Sequence, residues 1–240
     1  MPDTREHRGP HPQDGRLFAP ATWRMLRRAT GHLSWLLSHG YAERSALKLV
    51  GDRFQLVQRQ RLAVLRSACS DQARRHRREK QLHGPDVAAE QIDIDGFNVL
   101  TSIEAALASG VLLWGRDGCY RDLASMHGSY RRVAETATAL QILGRTLSER
   151  QVAASRWLLD RPVSNSGRLA TMIRHVASEC DWPWSVELVN DPDRVLAASP
   201  YVVATADSAV LDHCTRWFNL SRTAIELYLP TARVIPLGIA

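Results

Sequence analysis

Three apolar runs in this 240-residue chain end in aspartate: QIDID at Asp95, SRWLLD at Asp160 and YVVATAD at Asp207. More acids stand nearby in sequence, with Asp191 and Asp193 just before the third run, Asp212 just after it, and Glu104 shortly after the first. Carboxylates brought together repel and raise one another's pKa, and a divalent cation relieves that repulsion. Oxygen donors without a Cys/His set favour Mg²⁺ or Mn²⁺ over zinc. Such a site suits phosphodiester hydrolysis, where the metal activates water and stabilises the leaving oxygen. Asn98 fits as a neutral ligand or water-positioning group behind Asp95, and Gly96 permits close approach of backbone or substrate. A strand-end Asp taken alone is also an ordinary helix cap. Convergence of three is what caps leave unexplained.

The elements that must position these acids are strands of a parallel sheet. From residue 90 onward short β-rich runs alternate with helical stretches. Strands are expected at about 91–95, 155–160, 185–189, 201–206 and 233–237, with helices near 101–109, 130–150, 167–180 and 208–228. Alternation of this kind argues an α/β domain, with a mostly parallel sheet of about five strands covered on both faces. In such sheets the ligand crevice lies beyond the carboxyl ends of the strands, where all three aspartates would stand.

The first part of the chain reads differently. Residues 1–17 are polar and Pro/Gly-containing and read as a disordered tail. Pro20 opens a helix with Trp23, Leu26, Leu33 and Leu37 on one stripe, ended by Gly40. A short helix over 43–50, a Gly51-Asp52 turn and a long helix from about 54 into the 70s give a helix-turn-helix outline within a helical domain, 18–82. LHGP at 82–85 reads as a linker to an α/β domain at 90–240. Residues 1–90 carry 17 Lys+Arg against 9 Asp+Glu, while the remainder is slightly acidic. This asymmetry suggests a polyanion on the first part and chemistry in the second. Lys48, Arg53 and Arg59 are the candidate substrate contacts there. A solvated basic face is the plainer alternative.

Two polar runs flank the expected site. RDGCYRDLASMHGSYRRV, 116–133, supplies Arg116, Arg121, His127 and Arg131 as phosphate- or base-contacting candidates, with Asp117–Arg121 pairing as the structural alternative. In SNSGR, 164–168, Ser164, Asn165 and Ser166 can cap a helix whose first turn suits a phosphate beside Arg168. Trp182, Trp184 and Trp217 read as core. Cys69, Cys119, Cys180 and Cys214 are far apart, which disfavours a zinc ribbon and leaves free, mostly buried thiols. No apolar run approaches the roughly 20 residues of a membrane span, and no secretory signal opens the chain, so a cytoplasmic location is expected.

IDGFNVL, RDGCYRDLASMHGSYRRV, LLDRPVSNSGRL and VVATADSAVLD, together with GYAERSALKLVGDRF, resemble the prokaryotic domain-of-unknown-function family 434 across nearly the whole chain after the tail. The C-terminal region is similar to PIN-like and NYN-type ribonuclease domains, which begin with a strand ending in Asp-Gly-x-Asn and later carry a Ser-Gly-Asp-Ser-Asp-like motif. Asp95 with Asn98 matches the first motif and Thr205-Ala206-Asp207-Ser208 the second. The resemblance implies a PIN-like, Rossmann-like three-layer fold, with Asp95 and Asp207 as metal ligands, Asp193 as a further acid and Asp160 as a fourth. Ala209 departs from the pattern, which has a second Asp there. Asp212 is the candidate replacement ligand.

The expected activity is that of a Mg²⁺- or Mn²⁺-dependent nuclease acting on nucleic acid, RNA before DNA, with no membrane partner and a homodimer as one admitted assembly. A non-catalytic nucleic-acid-binding regulator on the same scaffold is the second reading. A haloacid-dehalogenase-type phosphatase, with Asp93 as nucleophile and Asp95 as acid/base, is the third. Phe97 stands where that family has Thr, and no Lys follows Lys80.

Overall fold

The structure is a computed structural model, and it describes residues 7–124 and 130–238. In chain order the helices are α1 (Asp14–Leu17), α2 (Pro20–Ser38), α3 (Glu43–Arg53), α4 (Gln58–Ser67), α5 (Asp71–Lys80), α6 (Gly96–Leu107), α7 (Thr136–Glu149), α8 (Ser166–Glu179), α9 (Pro192–Ala197), α10 (Ser208–His213) and α11 (Leu220–Tyr228). The strands are β1 (Gln81–Leu82), β2 (Gln91–Asp95), β3 (Leu112–Trp114), β4 (Tyr120–Asp122), β5 (Ala154–Asp160), β6 (Trp184–Val189), β7 (Val202–Ala204), β8 (Trp217–Phe218) and β9 (Val234–Pro236). A 3₁₀ turn spans Gly84–Val87.

Six strands form one parallel sheet in the order β1-β8-β7-β2-β5-β6. Alternation along the strands sorts its two faces. Ile92, Ile94, Trp157, Leu159, Val202, Ala204 and Phe218 join one core with residues of α6, α7, α8 and α11. Leu158, Val203 and Trp217 point the other way, onto Leu196 of α9 and Val210 and Leu211 of α10. Helices therefore cover both faces, as the near-continuous apolar runs require. The chain runs outward from β2 to β5 and β6, then crosses back to β7 and β8. The switch point lies between β2 and β7, where such sheets open a crevice beyond the strand ends.

The sheet has six strands rather than about five, because two unexpected strands join it: Gln81–Leu82, running into the expected linker, pairs with Trp217–Phe218, which pairs in turn with β7. The expected strand 233–237 instead joins a second sheet of three, β4-β3-β9. The expected helix 208–228 is two helices, parted by the buried strand Trp217–Phe218.

In the N-terminal part α2 follows its apolar stripe, with Leu26, Leu33 and Leu36 buried, and Gly40, at φ +80, turns the chain just past its end. Gly51 and Asp52 continue α3 rather than turning, and the turn falls at 54–57. The expected long helix breaks at Ala68-Cys69-Ser70, where Ser70 Oγ accepts the Ala73 N–H and caps α5. Residues 7–17 are not a disordered tail. Arg8 is buried against Glu104, and Asp14 is held by Arg59. The helical core also takes in Val111, Leu113, Leu123, Ile235 and Leu237, so the small sheet packs with the helices. All four cysteines are free thiols, with only Cys180 exposed. Among the described residues no helix is long and apolar enough to cross a membrane.

Candidate functional site

A cleft of about 590 Å³ opens at the switch point. Asp95, Asn98, Asp160, Asp193 and Asp207 all line it. Four carboxylates from four different segments therefore meet there, three of them the acids of the strand-end reading and the fourth, Asp193, from the first turn of α9.

Each is positioned by local chemistry. Asp95 closes β2 and caps α6, its Oδ1 accepting the Asn98 N–H at 3.4 Å and its Oδ2 the Thr205 hydroxyl at 2.7 Å. Gly96 is the only residue type that fits next. A Cβ there would stand 2.5 Å from Leu159 Cδ2 and 2.9 Å from the Leu158 carbonyl, so it is backbone of β5 that approaches closely. Asn98 Oδ1 accepts the Ala206 N–H at 2.8 Å, which leaves its Nδ2 without a partner among the described residues. Asp207 caps α10 through one oxygen, Oδ1, which accepts from Ala209 and Val210. Asp191 caps α9 and thereby sets Asp193 in its first turn. The cap reading and the site reading thus hold together at Asp95 and Asp207. Among the described residues Asp160 caps nothing, and its Oδ1 is buried with no hydrogen-bond partner.

Electrostatics mark Asp95, Asp193 and Asp160. Burial pushes the Asp95 carboxyl up to about 7, with Asp193 and Asp207 adding to the rise against the Thr205 hydrogen bond. Asp193 is raised by burial and then by Asp207, Asp191 and Asp160, and Asp160 is raised by burial and by Asp191. No cation stands among the leading causes of these shifts. Among the described residues no three His, Cys, Asp or Glu side chains converge into a ready-made metal cage. The donor set still suits Mg²⁺, which keeps several waters and takes one or two carboxylates rather than a full protein shell.

Sequence reasoning gave no role to three contributors. Asp122, on β4, lines the cleft with its Oδ2 near the Ser102 hydroxyl at 3.2 Å and its Oδ1 accepting the Ala124 N–H. Thr205 binds Asp95 directly. Arg66, from α4, lines the cleft with its guanidinium on the Asp122 and Ala124 carbonyls. Glu43 and Leu65 stand beside it, so the helical part forms one wall. The pairing of a three-residue strand inside a polar run leaves no periodic signal for Asp122.

Other expected site residues are turned elsewhere. Asp212 is not at the cleft, because Arg77 takes both its oxygens, at 2.7 and 2.9 Å. Glu104 is buried among Arg8, Tyr130 and Thr136. Asp93 is wholly buried and accepts from Arg156, its register partner on β5, and from Ser199, which leaves no oxygen for a phosphatase nucleophile. Arg116 binds Asp71 and the Cys69 carbonyl. Arg59 grips Asp14, and Lys48 pairs with Asp52 on the surface. Arg53 is exposed, away from the cleft. With Arg61 on Asp52 and Arg66 on carbonyls, every arginine of α4 is engaged, so it does not present the basic face of a recognition helix. Arg121 lines the cleft, but its guanidinium binds Asp117 twice and its Nε donates to the Ala206 carbonyl. With Asn98 on the Ala206 N–H, the loop carrying Asp207 is held from both sides. Ser166 is buried with its hydroxyl on the Arg161 carbonyl, Ser164 is exposed, and Asn165 donates to the Tyr130 carbonyl instead of capping α8. Arg131 and Arg168 line a separate cavity. His127 lies outside the described residues.

Comparison with known proteins divides the chain at the same joint as its secondary structure. The family described as Protein of unknown function (DUF434) matches residues 25–80 only, not the nearly full chain expected from the motifs. Residues 85–223 match the family described as Domain of unknown function (DUF5616). An uncharacterized protein of Methanocaldococcus jannaschii is 30% identical over 186 residues, covering 78% of this chain and 88% of its own length. No solved structure matches. The α/β part with its acidic cleft spans more than half the chain, and the chain belongs to the DUF5616 family, with a DUF434 region forming its N-terminal helices.

Proposed function

We propose that the chain is a metal-dependent nuclease with a PIN-like α/β domain, acting on RNA in preference to DNA. One observation carries the reading. Asp95, Asp160, Asp193 and Asp207 share a cleft at the sheet's switch point, and none of them has a cationic partner among the described residues. Asp95 and Asp207 would hold Mg²⁺ or Mn²⁺, which when bound neutralises the phosphate and stabilises charge on the leaving oxygen.

The remaining work falls to the chain. Thr205 and the Asn98 backbone fix the Asp95 carboxylate, and Asn98 Nδ2 is left to donate toward a phosphate oxygen. Asp193 has a raised proton affinity and takes the proton of the attacking water as general base. Asp160, with an unpartnered oxygen, orients that water or holds it second-hand. The test is incubation of the purified chain with labelled single-stranded RNA and DNA in Mg²⁺, Mn²⁺ and chelator. Metal-dependent cleavage lost in Asp95→Asn supports the proposal, and intact substrate under every condition defeats it.

A second reading, binding without cleavage, is favoured by the lack of a three-acid cage among the described residues and by Ala209, whose N–H occupies an oxygen of Asp207. Salt-sensitive binding with no turnover, unchanged in Asp207→Ala, would select it.

A further inference from the structure

Val163 lines the acidic cleft, and two residues later Asn165 lines a second cavity of about 330 Å³. Arg131, Arg132 and Arg168 surround this cavity, and among the described residues no carboxylate does. Its floor is apolar: Leu169 belongs to the main core and Met172 packs against that core. The volume lies at the lower end of small-ligand sites, about 300–1,000 Å³.

The walls are laced together rather than adventitious. The Asn165 amide donates to the Tyr130 carbonyl at 2.9 Å, and the Tyr130 N–H donates to the Ser164 carbonyl at 3.1 Å. Asn165 takes a positive φ of 70° to make this join. The approach to the first turn of α8 is open, since a Cβ on Gly167 would meet nothing within 4 Å. Like charges gathered on one concavity repel, and an anion offering several oxygens reverses that cost, most effectively through guanidinium forks. Three arginines over an apolar floor match one chemical unit that carries both a phosphate and a flat organic ring.

We infer that this cavity binds one nucleotide of a single-stranded polynucleotide that continues from the acidic cleft. Arg132 and Arg168 take its phosphate, and Leu169 and Met172 support its base or ribose. The inference rests on the nuclease reading only for what happens next door; the binding itself does not require cleavage. It makes the substrate a strand rather than a mononucleotide or small phosphodiester, because a strand alone spans both sites.

The experiment is fluorescence anisotropy with a labelled single-stranded RNA oligonucleotide in chelator, using the full chain, Arg168→Glu, Arg132→Glu/Arg168→Glu and Arg168→Lys. Circular dichroism melts confirm that each variant is folded. Each charge reversal is expected to weaken binding about tenfold and to flatten its salt dependence, while Arg168→Lys retains most of the affinity. Unchanged affinity in the folded double variant overturns the inference. So does displacement of the strand by inorganic phosphate at equal concentration, which would make the cavity a free-anion site. Should the chain cleave nothing while the double variant loses binding, the strand site stands and the nuclease reading falls. Should Asp95-dependent cleavage persist with unaltered binding in the double variant, the nuclease reading stands and the strand site falls.

Discussion

Two sets of aspartates occupy this fold, a few residues apart in sequence and opposite in circumstance. Asp93, Asp117 and Asp212 each face a guanidinium, from Arg156, from Arg77 with Arg121, and from Arg77. Asp95, Asp160, Asp193 and Asp207 face one another across the cleft. The chain has arginines to spare, 31 Lys+Arg against 25 Asp+Glu, so the missing partners are not a matter of supply. A buried carboxylate with a partner is part of the framework. One held in a cleft without a cationic partner is available to something from outside.

The sharpest way to break this contrast is Asp117→Ala. Asp117 lies in the turn between β3 and β4, where it binds Arg77 at 2.6 Å and Arg121 at 2.9 and 2.6 Å. Removing it leaves the buried Arg121 with no carboxylate and Arg77 with Asp212 alone, and losing one partner of a buried pair costs about 3–5 kcal/mol. Denaturant unfolding should show that loss. Burial alone would raise the Asp117 carboxyl, but Arg121 and Arg77 together outweigh it and hold it well below the usual range. A carboxyl depressed in the folded state contributes stability at pH values above its unfolded pKa of about 3.9 and loses it as pH falls through the folded value. Wild-type unfolding free energy should therefore drop on acidification below pH of about 4, and the Asp117→Ala curve should be flatter there.

Next in size is the opposite case. Asp95→Asn and Asp207→Asn should cut metal-dependent cleavage by about 100-fold or more, equivalent to about 2.7 kcal/mol in the barrier. Neither should destabilise the fold. Asn still accepts from Thr205 at position 95 and still caps α10 at position 207, while like-charge repulsion is relieved. Variants that lost stability as severely as Asp117→Ala would mean that the cleft acids are framework too.

A smaller effect tests the metal directly. A ligand that binds only the folded state stabilises it by about 1.4 kcal/mol at ten times its dissociation constant. Mg²⁺ or Mn²⁺ should raise the melting temperature of the wild type and leave the Asp95→Asn/Asp207→Asn double variant unmoved. A shift of equal size in both would place the cation elsewhere.

How much of this contrast the sequence discloses depends on the range of each interaction. β2, β5, β6 and the stripe of α2 are legible because each carries its own periodicity. The capping of α5 by Ser70 is also local, a Ser followed by Asp71 in the first turn, yet the basic run after it reads as one continuous helix. The strand Trp217–Phe218 has no local signature strong enough to break a helix pattern, and exists because β7 and β1 lie on either side to pair with it. The strand-end position of Asp95, Asp160 and Asp207 is legible, since it needs only the strands. Which acids are free is not. Asp212 meets its partner Arg77 from 135 residues away, and Glu104 meets Arg8 from 96. Spacing favours Asp212 as a ligand, and only the packing of α5 against α10 removes it.

The smallest expected effect concerns the helical face on which Lys48 and Arg53 stand. Lys48 is 78% exposed and its ion pair with Asp52 lies in solvent, where such pairs are worth little. Lys48→Ala should leave both the melting temperature and RNA affinity unchanged within error, measured beside Arg168→Glu under the same salt. That pairing asks whether the basic excess of the N-terminal part acts as a general attractant or whether binding is confined to the arginines beside the cleft. An affinity loss in Lys48→Ala as large as in Arg168→Glu would restore α3 as a gripping surface. It would also dissolve the distinction between charges that merely solvate the fold and charges gathered around a cavity.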